Sequence, residues 1–423
     1  MLEAAADGAA SRCWGFPAWV LLDRTGQIGS CNDATTARSM TNLHGAIEVS
    51  FVVVDPHPPA LFRCPDLTDD DSILSTSVTG ADGAFLIGGD LIRSLTSFFT
   101  GPAPEHRRST SYPDLNYPVG IHSNHVAVLS YSGDSHCLVV VPNARAEKSG
   151  AVNYKVHIFS GKTKFWSIRV VNKMACDMLY MCCPDFELEH AKVFTVGGNS
   201  LAWVDLRYGI LMCEGVNNDS PVMRFIQLPQ LMPINNKVNF NMNPDGTITT
   251  PLDILRDVTF NDDGTFRFIE MESHYLDSTK TTVLRWTINI FTKRIIGSED
   301  WEQCTSVDSA KITPASSCIP HLFPDIWDSR DKRLTLDKII SFAPTLDQYH
   351  DDVVYMTTSK LDCCDLHGWV LAIDINGHKL DKLVPFTAHK YTLRPFLQCS
   401  LSNYFSTALG NYTISHSSTM HYI

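Results

Sequence analysis

The chain is predicted to be all-β, propeller-like with about six or seven blades. Three observations predict it. A unit keeps returning: a short alternating apolar stretch, a polar turn, then a second stretch carrying an aromatic. Its clearest copy runs from Tyr154 to Val170, with Val156, Ile158 and the Phe165/Trp166 pair flanking the Ser160–Gly161–Lys162 turn. Relatives stand at Ala202–Leu206, Thr282–Trp286 and Trp369–Asp374. These strand groups recur roughly every 40–50 residues, the period of a four-stranded blade. No segment keeps a long 3.6-residue apolar period. A pair of β-sandwiches is the alternative architecture.

The elements come in this order along the chain. Residues 1–15 are small and polar and are expected to be a disordered tail. Phe16–Asp23 is a first strand, and Ala34–Arg38 a turn or short helix. Ala46–Asp55 is a strong strand stopped by Pro56, Pro58 and Pro59. Ala84–Asp90 and Leu91–Phe99 are ambiguous between strand and helix. Residues 101–118 carry four prolines and read as a surface loop. His125–Ser130 and Cys137–Val141 are strands, and the Tyr154 hairpin comes next. Ser200–Cys213 gives two strands around the Arg207–Gly209 turn. Met223–Leu228 is a strand ended by Pro229, and Leu231–Pro251 is a second long loop. Arg256–Phe260, the Asn261–Gly264 turn and Thr265–Met271 form a hairpin, with glycine where positive φ is needed. Thr282–Ile296 reads as another hairpin. Asp352–Met356 and Trp369–Asp374 are the last clear strands, with a turn at Asn376–Gly377. Leu397–Leu409 is expected to close the chain as a short helix. The β body spans 16–405, and 406–423 is a tail.

Composition bounds the function. The 423 residues are 44% apolar and 10% aromatic, enough for a sizeable core. A net charge of −12 argues against a general nucleic-acid surface, because phosphate contacts need a basic footprint. The His106–Arg108 cluster sits among prolines and reads as a solvated loop. The N-terminus has no basic n-region leading into an apolar run, and the longest apolar runs are strand length. The expectation is an intracellular protein, in cytoplasm or nucleus, with no membrane association. Its 13 cysteines are then reduced core thiols. Asn218–Ser220 and Asn411–Thr413 match the glycosylation sequon by chance on this reading.

The residues that could carry chemistry are few. No phosphate loop, nucleophile elbow, H-E-x-x-H or C-x-x-C occurs. Cys182, Cys183, Asp185 and His190, and again Cys363, Cys364, Asp365 and His367, gather metal-ligating types. Adjacent cysteines on a strand point to opposite faces, so each pair reads as one buried and one superficial thiol. His122 and His125 read as a polar strand-edge pair. Ser132, Asp134, Ser135 and His136 crowd nucleophile, acid and base types into one turn, where triad geometry is rarely available. The acidic runs Asp69–Asp71, Asp262–Asp263 and Asp351–Asp352 lack calcium-loop spacing and read as solvated turns. Paired carboxylates that meet only in space stay open. Trp166, Trp203, Trp286, Trp301 and Trp369 read as structural wedges between sheets. No catalytic residue, metal or cofactor is assigned.

Several of these segments together resemble a known family. Trp203–Leu211, Arg224–Pro229, Arg256–Val258, Phe268–Met271, Trp286 and Trp301 resemble the plant domain-of-unknown-function 1618 family, its core at about 200–330. Within that pattern stand Asp205, Gly209, Arg256 and Asp257, which join the five tryptophans as structural motif residues. The stretches Pro17–Asp23, Asn32–Ala37 and Ile47–Phe51 fit the region N-terminal to that domain. Asp352–Met356 and Trp369–Asp374 fit the region C-terminal to it. The Val156–Ser167 unit is similar to the propeller domains of plant F-box-associated, kelch-like proteins. The resemblance implies no catalytic residue, and links to stress response and development without a mechanism.

The sequence therefore points to an interaction scaffold binding a protein partner through loop surfaces, with no nucleic-acid partner. A hydrolase or small-ligand binder working in a central channel is the alternative.

Overall fold

The computed structural model describes residues 20–28, 37–40, 46–52, 60–64, 78–82, 85–88, 126–131, 136–146, 152–163, 165–171, 174–175, 192–237, 252–278, 281–295, 300–316, 326–348, 350–360, 367–387 and 397–399. These residues are almost all strand, in small sheets that close no barrel, as the all-β expectation requires. The arrangement is compatible with a propeller.

The first sheet holds β1 (Val20–Ile28), β2 (Ala37–Met40), β3 (Ala46–Val52) and β4 (Ala60–Cys64), with β1 and β4 parallel. Residues 37–40 are thus a strand, not the expected turn or helix, because they pair antiparallel with β3. β5 (Val78–Asp82) and β6 (Phe85–Gly88) form a two-stranded ribbon. The second sheet runs β10-β9-β8-β7, from β7 (Ala127–Tyr131) through β8 (His136–Ala146) and β9 (Val152–Ser160) to β10 (Trp166–Val170). The Tyr154 hairpin is therefore real, and among the described residues β10 is a sheet edge.

The third sheet runs β11-β15-β14-β13-β12: β11 (Met174–Ala175), β12 (Lys192–Val196), β13 (Ser200–Asp205), β14 (Gly209–Glu214) and β15 (Val222–Gln227). A five-residue helix, α1 (Pro233–Lys237), stands within the stretch expected to be loop. The fourth sheet is β16 (Arg256–Phe260), β17 (Thr265–Ser278), β18 (Thr281–Arg294) and β19 (Glu302–Asp308) in sequence order. The expected second hairpin at 282–296 is instead the single strand β18. It stays in register with β17 for the full length of both, from Thr265↔Arg294 to Ser278↔Thr281.

The fifth sheet contains β20 (Thr313–Pro314) and, after the ribbon β21 (Trp327–Asp328) and β22 (Arg333–Leu334), the strands β23 (Ile339–Leu346), β24 (Val353–Lys360), β25 (His367–Asp374) and β26 (Lys379–Thr387). Last, β27 (Leu397–Cys399) pairs with β1 and brings the first and last described strands into one sheet. Its pairing overrides the expected helix at the start of 397–409.

Sheets two to five stack in sequence order, and each junction is one apolar cluster. Val156, Ile158, Trp203, Leu211 and Phe225 join sheets two and three. Ala202, Val204, Met212, Val258 and Phe268 join three and four. Ile288, Trp286, Met356, Trp369 and Leu371 join four and five. The alternation along β13 explains the packing: Leu201 and Trp203 face one neighbour, Ala202 and Val204 the other. With both faces covered, β13 and β14 read as continuous apolar runs and not as alternating ones. Burying a side chain of this size contributes about 1.5–3 kcal/mol.

Two glycines are fixed by geometry. Gly264 takes φ +85° at the β16–β17 turn, as its sequence setting predicts. A Cβ at Gly209 would stand 2.3 Å from the Ile226 carbonyl oxygen and 2.5 Å from the Phe225 ring.

Candidate functional site

Three groupings of polar or exposed apolar side chains stand out from this packing. The first joins one end strand from each of three sheets. Lys192 on β12 donates to both carboxylate oxygens of Asp257 on β16, at 3.0 and 3.2 Å. Asp257 Oδ2 also accepts the Leu346 backbone N–H of β23 at 3.0 Å. The carboxylate is buried and its hydrogen bonds come from within the protein. A bulge precedes Leu346: the register slips between Phe342 and Thr345, and Ala343 takes φ +52°.

The second half of this network is a buried ion pair. Arg256 and Glu270 stand directly opposite each other on β16 and β17. The guanidinium donates from Nε and Nη2 to Glu270 Oε2 at 3.1 and 2.7 Å. It also donates to the Leu206 carbonyl at 2.8 Å and the Pro229 carbonyl at 3.2 Å, and stacks on Phe268. Glu270 Oε1 accepts the Met232 N–H and the Asn235 side-chain amide, which fastens α1 to β17. Burial pushes the Arg256 guanidinium down from its usual range, and Glu270 pushes it back up. Asp205 is likewise enclosed and takes a bidentate contact from Arg207 at 3.1 and 2.9 Å.

The tryptophans divide by depth. Trp203, Trp286 and Trp369 are buried. Trp301 sets its edge on Phe268 and donates from Nε1 to the Gln227 carbonyl at 2.7 Å. Trp166 is half-buried and tilts against Phe159, with ring centroids 5.4 Å apart.

The second grouping lies in the β23–β24 turn. The Asp347 carboxylate, fully buried, accepts the His350 N–H at 3.1 Å and the Tyr355 hydroxyl at 3.0 Å, and lies 3.2 Å from His350 Nδ1. Arg267 donates to the Asp347 and Asp351 carbonyls. Burial and the neighbouring Asp347 raise the Tyr355 phenol, so it stays protonated and donates. The His350 side chain is 58% exposed. A carboxylate holding an exposed imidazole is the orienting half of a general base. In the sequence Asp351–Asp352 reads as a solvated turn, and nothing there singles out Asp347, Tyr355 or Arg267, which meet only through the fold.

The third grouping is apolar and exposed. Phe165, Ile168 and Val170 are 75%, 59% and 55% exposed, on and beside edge strand β10. Ile168 and Val170 share a face with their cross-strand partners His157 and Lys155.

Most of the remaining sequence candidates fall outside the described residues. His122, His125, Ser132, Asp134, Ser135, Cys182, Cys183, Asp185, His190, Cys363, Cys364, Asp365 and Asp69–Asp71 lie outside the described residues, as do the loop 101–118, both tails and 238–251 of the second loop. Of His367 only the backbone is described. Among the described residues no group of three or more His, Cys, Asp or Glu side chains is placed to hold a metal ion. No helix among them is long and apolar enough to cross a membrane.

Residues 203–355 match the family described as protein of unknown function (DUF1618). The DUF1618 segment contains Asp205, Gly209, Arg256, Asp257, Trp286 and Trp301, together with Glu270 and Asp347. It leaves out Lys192, the partner of Asp257, and Trp369. No curated protein matches the chain. Among solved structures, an ancestral GH74 enzyme aligns over 89% of this chain at 10% identity, with a TM-score of 0.23. The chain covers 60% of that enzyme's length. The α-L-arabinofuranosidase Arb93A from Fusarium graminearum, solved with an iminosugar inhibitor, aligns over 90% of this chain and 88% of its own at 6% identity, with a TM-score of 0.25. TM-scores this low do not establish a shared fold.

Proposed function

We propose that this protein is a non-catalytic interaction scaffold whose sheets present surfaces to a protein partner inside the cell, in cytoplasm or nucleus. The observation that carries the reading is the pair of exposed side chains Ile168 and Val170 on one face of β10, with exposed Phe165 just before the strand. Exposed apolar side chains gathered on one strand are a feature of docking surfaces, whereas scattered ones are ordinary. The segments 101–118 and 231–251 are proposed as further contact surfaces; Met232 and Asn235 anchor the second to Glu270. The thiols of Cys137, Cys213 and Cys304 fit a reducing compartment. The test is affinity capture by the full chain from cells expressing it, with crosslinking and quantification of the retained proteins. A partner recovered in fixed proportion and purified as a complex supports the scaffold. A chain that retains nothing above an unrelated β-protein overturns it.

A second reading, hydrolysis, is favoured by the Asp347–His350–Tyr355 grouping. His350→Gln keeps the size of the ring's near edge and removes its basicity. Turnover of any ester or glycoside substrate by the wild type, lost in this variant at unchanged thermal stability, would establish that reading. Equal turnover by both proteins would remove His350 from it.

A further inference from the structure

We propose that the β9–β10 hairpin receives an acidic, extended segment of a partner protein, which adds to the open side of β10 as a new strand. The inference rests on the scaffold reading and specifies the partner's chemistry.

The backbone supplies the first argument. Ser160 N–H donates to the Phe165 carbonyl, so the ladder alternation turns the backbone groups of Ser167 and Arg169 toward β9. Those of Ile168 and Val170 therefore point away from β9, along the sheet edge. The β9–β10 register is unbroken over five pairs, and the strand contains no proline. Proline, bulges and outward charges are the usual guards of an edge strand. Its one charge, Arg169, is engaged by Asp219 and the Asn218 carbonyl of the third sheet.

The side chains supply the second. Ile168 and Val170 stand more than half exposed on the face that also carries Lys155 and His157. An added strand of alternating polarity would bury both aliphatic groups and leave its polar side chains to solvent.

Charge supplies the third and selects the partner. From Lys148 to Cys176 the sequence contains Lys148, Lys155, Lys162, Lys164, Arg169 and Lys173, and no Asp or Glu. The whole chain has a net charge of −12. This hairpin is a basic island in an acidic protein, and it complements an acidic segment. Aliphatic groups at a backbone edge suit a peptide. The exposed Phe165 ring beside them is a stacking face of the kind base recognition uses, which makes single-stranded DNA the competing ligand to test.

The test uses the full-length chain and fluorescein-labelled probes monitored by anisotropy. The probes are an eight-residue peptide alternating glutamate and valine, its lysine-for-glutamate counterpart, and a twelve-nucleotide single-stranded DNA. The glutamate peptide is expected to bind, to weaken as salt rises, and to outcompete the other two. Ile168→Pro removes one outward N–H and is expected to cost about tenfold in affinity. If that variant unfolds, Ile168→Lys, which keeps the backbone and adds a guarding charge, takes its place with the same expected loss. Preference for the DNA, equal binding of both peptides, or a wild-type chain that instead dimerises through this edge would each overturn the proposal. Partner capture that survives Ile168→Lys, together with no binding of the glutamate peptide, overturns this inference and leaves the scaffold reading standing.

Discussion

Glu270 shows how much one side chain can organise. It compensates Arg256, holds Asn235 and accepts the Met232 N–H, all in a buried setting. Glu270→Ala leaves a buried guanidinium uncompensated, and about 3–5 kcal/mol of stability is expected to be lost. Replacing both partners, as Arg256→Met with Glu270→Leu, removes the buried charge but leaves the Met232 N–H and the Asn235 amide without their acceptor, so only part of that loss is expected to be recovered, as chemical denaturation of the three proteins will reveal. Asp308 makes a prediction about pH. Its hydrogen bond from Arg285, helped by the Ala310 N–H, holds the carboxyl below its ordinary value of 3.8. A carboxyl depressed in the folded state stabilises the protein above its unfolded pKa, and that contribution fades as pH falls through the folded value. Wild type is therefore expected to exceed Asp308→Asn in unfolding midpoint at pH 7, with the difference shrinking steadily as the pH is taken down through the acid range. Arg256, Asp257 and the tryptophans are visible in the sequence as a pattern. Their partners Lys192 and Leu346 are not, and Glu270, though inside the Phe268–Met271 segment, shows no pairing there, because strand pairing and sheet stacking, and not sequence spacing, bring them together.

The strands are legible wherever a turn residue and an alternating run agree, as at Gly264 and in the Tyr154 hairpin. Sequence reading fails where tertiary pairing overrides local preference. Residues 37–40 and 397–399 are strands because β3 and β1 receive them. The β17–β18 pair is hard to foresee because two fourteen-residue strands exceed the usual strand length. The basic hairpin is hidden for a different reason: its charge is local and vanishes in the chain average. One element carries a prediction of its own. Ala343 occupies left-handed backbone within the β23 bulge, at a cost of roughly 1–2 kcal/mol for a residue with a Cβ. Ala343→Gly relieves that strain but gives up chain entropy and one buried methyl, so urea unfolding is expected to show a change of less than about 1 kcal/mol, where glycine at an ordinary strand position is clearly destabilising.

At the scale of the whole molecule, four consecutive sheets are joined by three apolar clusters, and β1 pairs with β27, the first described strand with the last. Deleting residues 397–423 removes β27 and exposes β1 as an edge. The unfolding midpoint is expected to fall by roughly 2–4 °C for each kcal/mol of lost pairing, measurable by differential scanning calorimetry.

The same stacking bears on the DUF1618 match. Its first residue, Trp203, lies inside β13, and its last, Tyr355, lies inside β24. A gene fragment cut at those borders would sever two strands midway. It would lack β12 and β25, and with them the far sides of two clusters. The piece that sequence comparison delimits is thus no autonomous module. Recombination or subcloning that respects the chain's own joints would cut between sheets, in the connection before β12 and after β26.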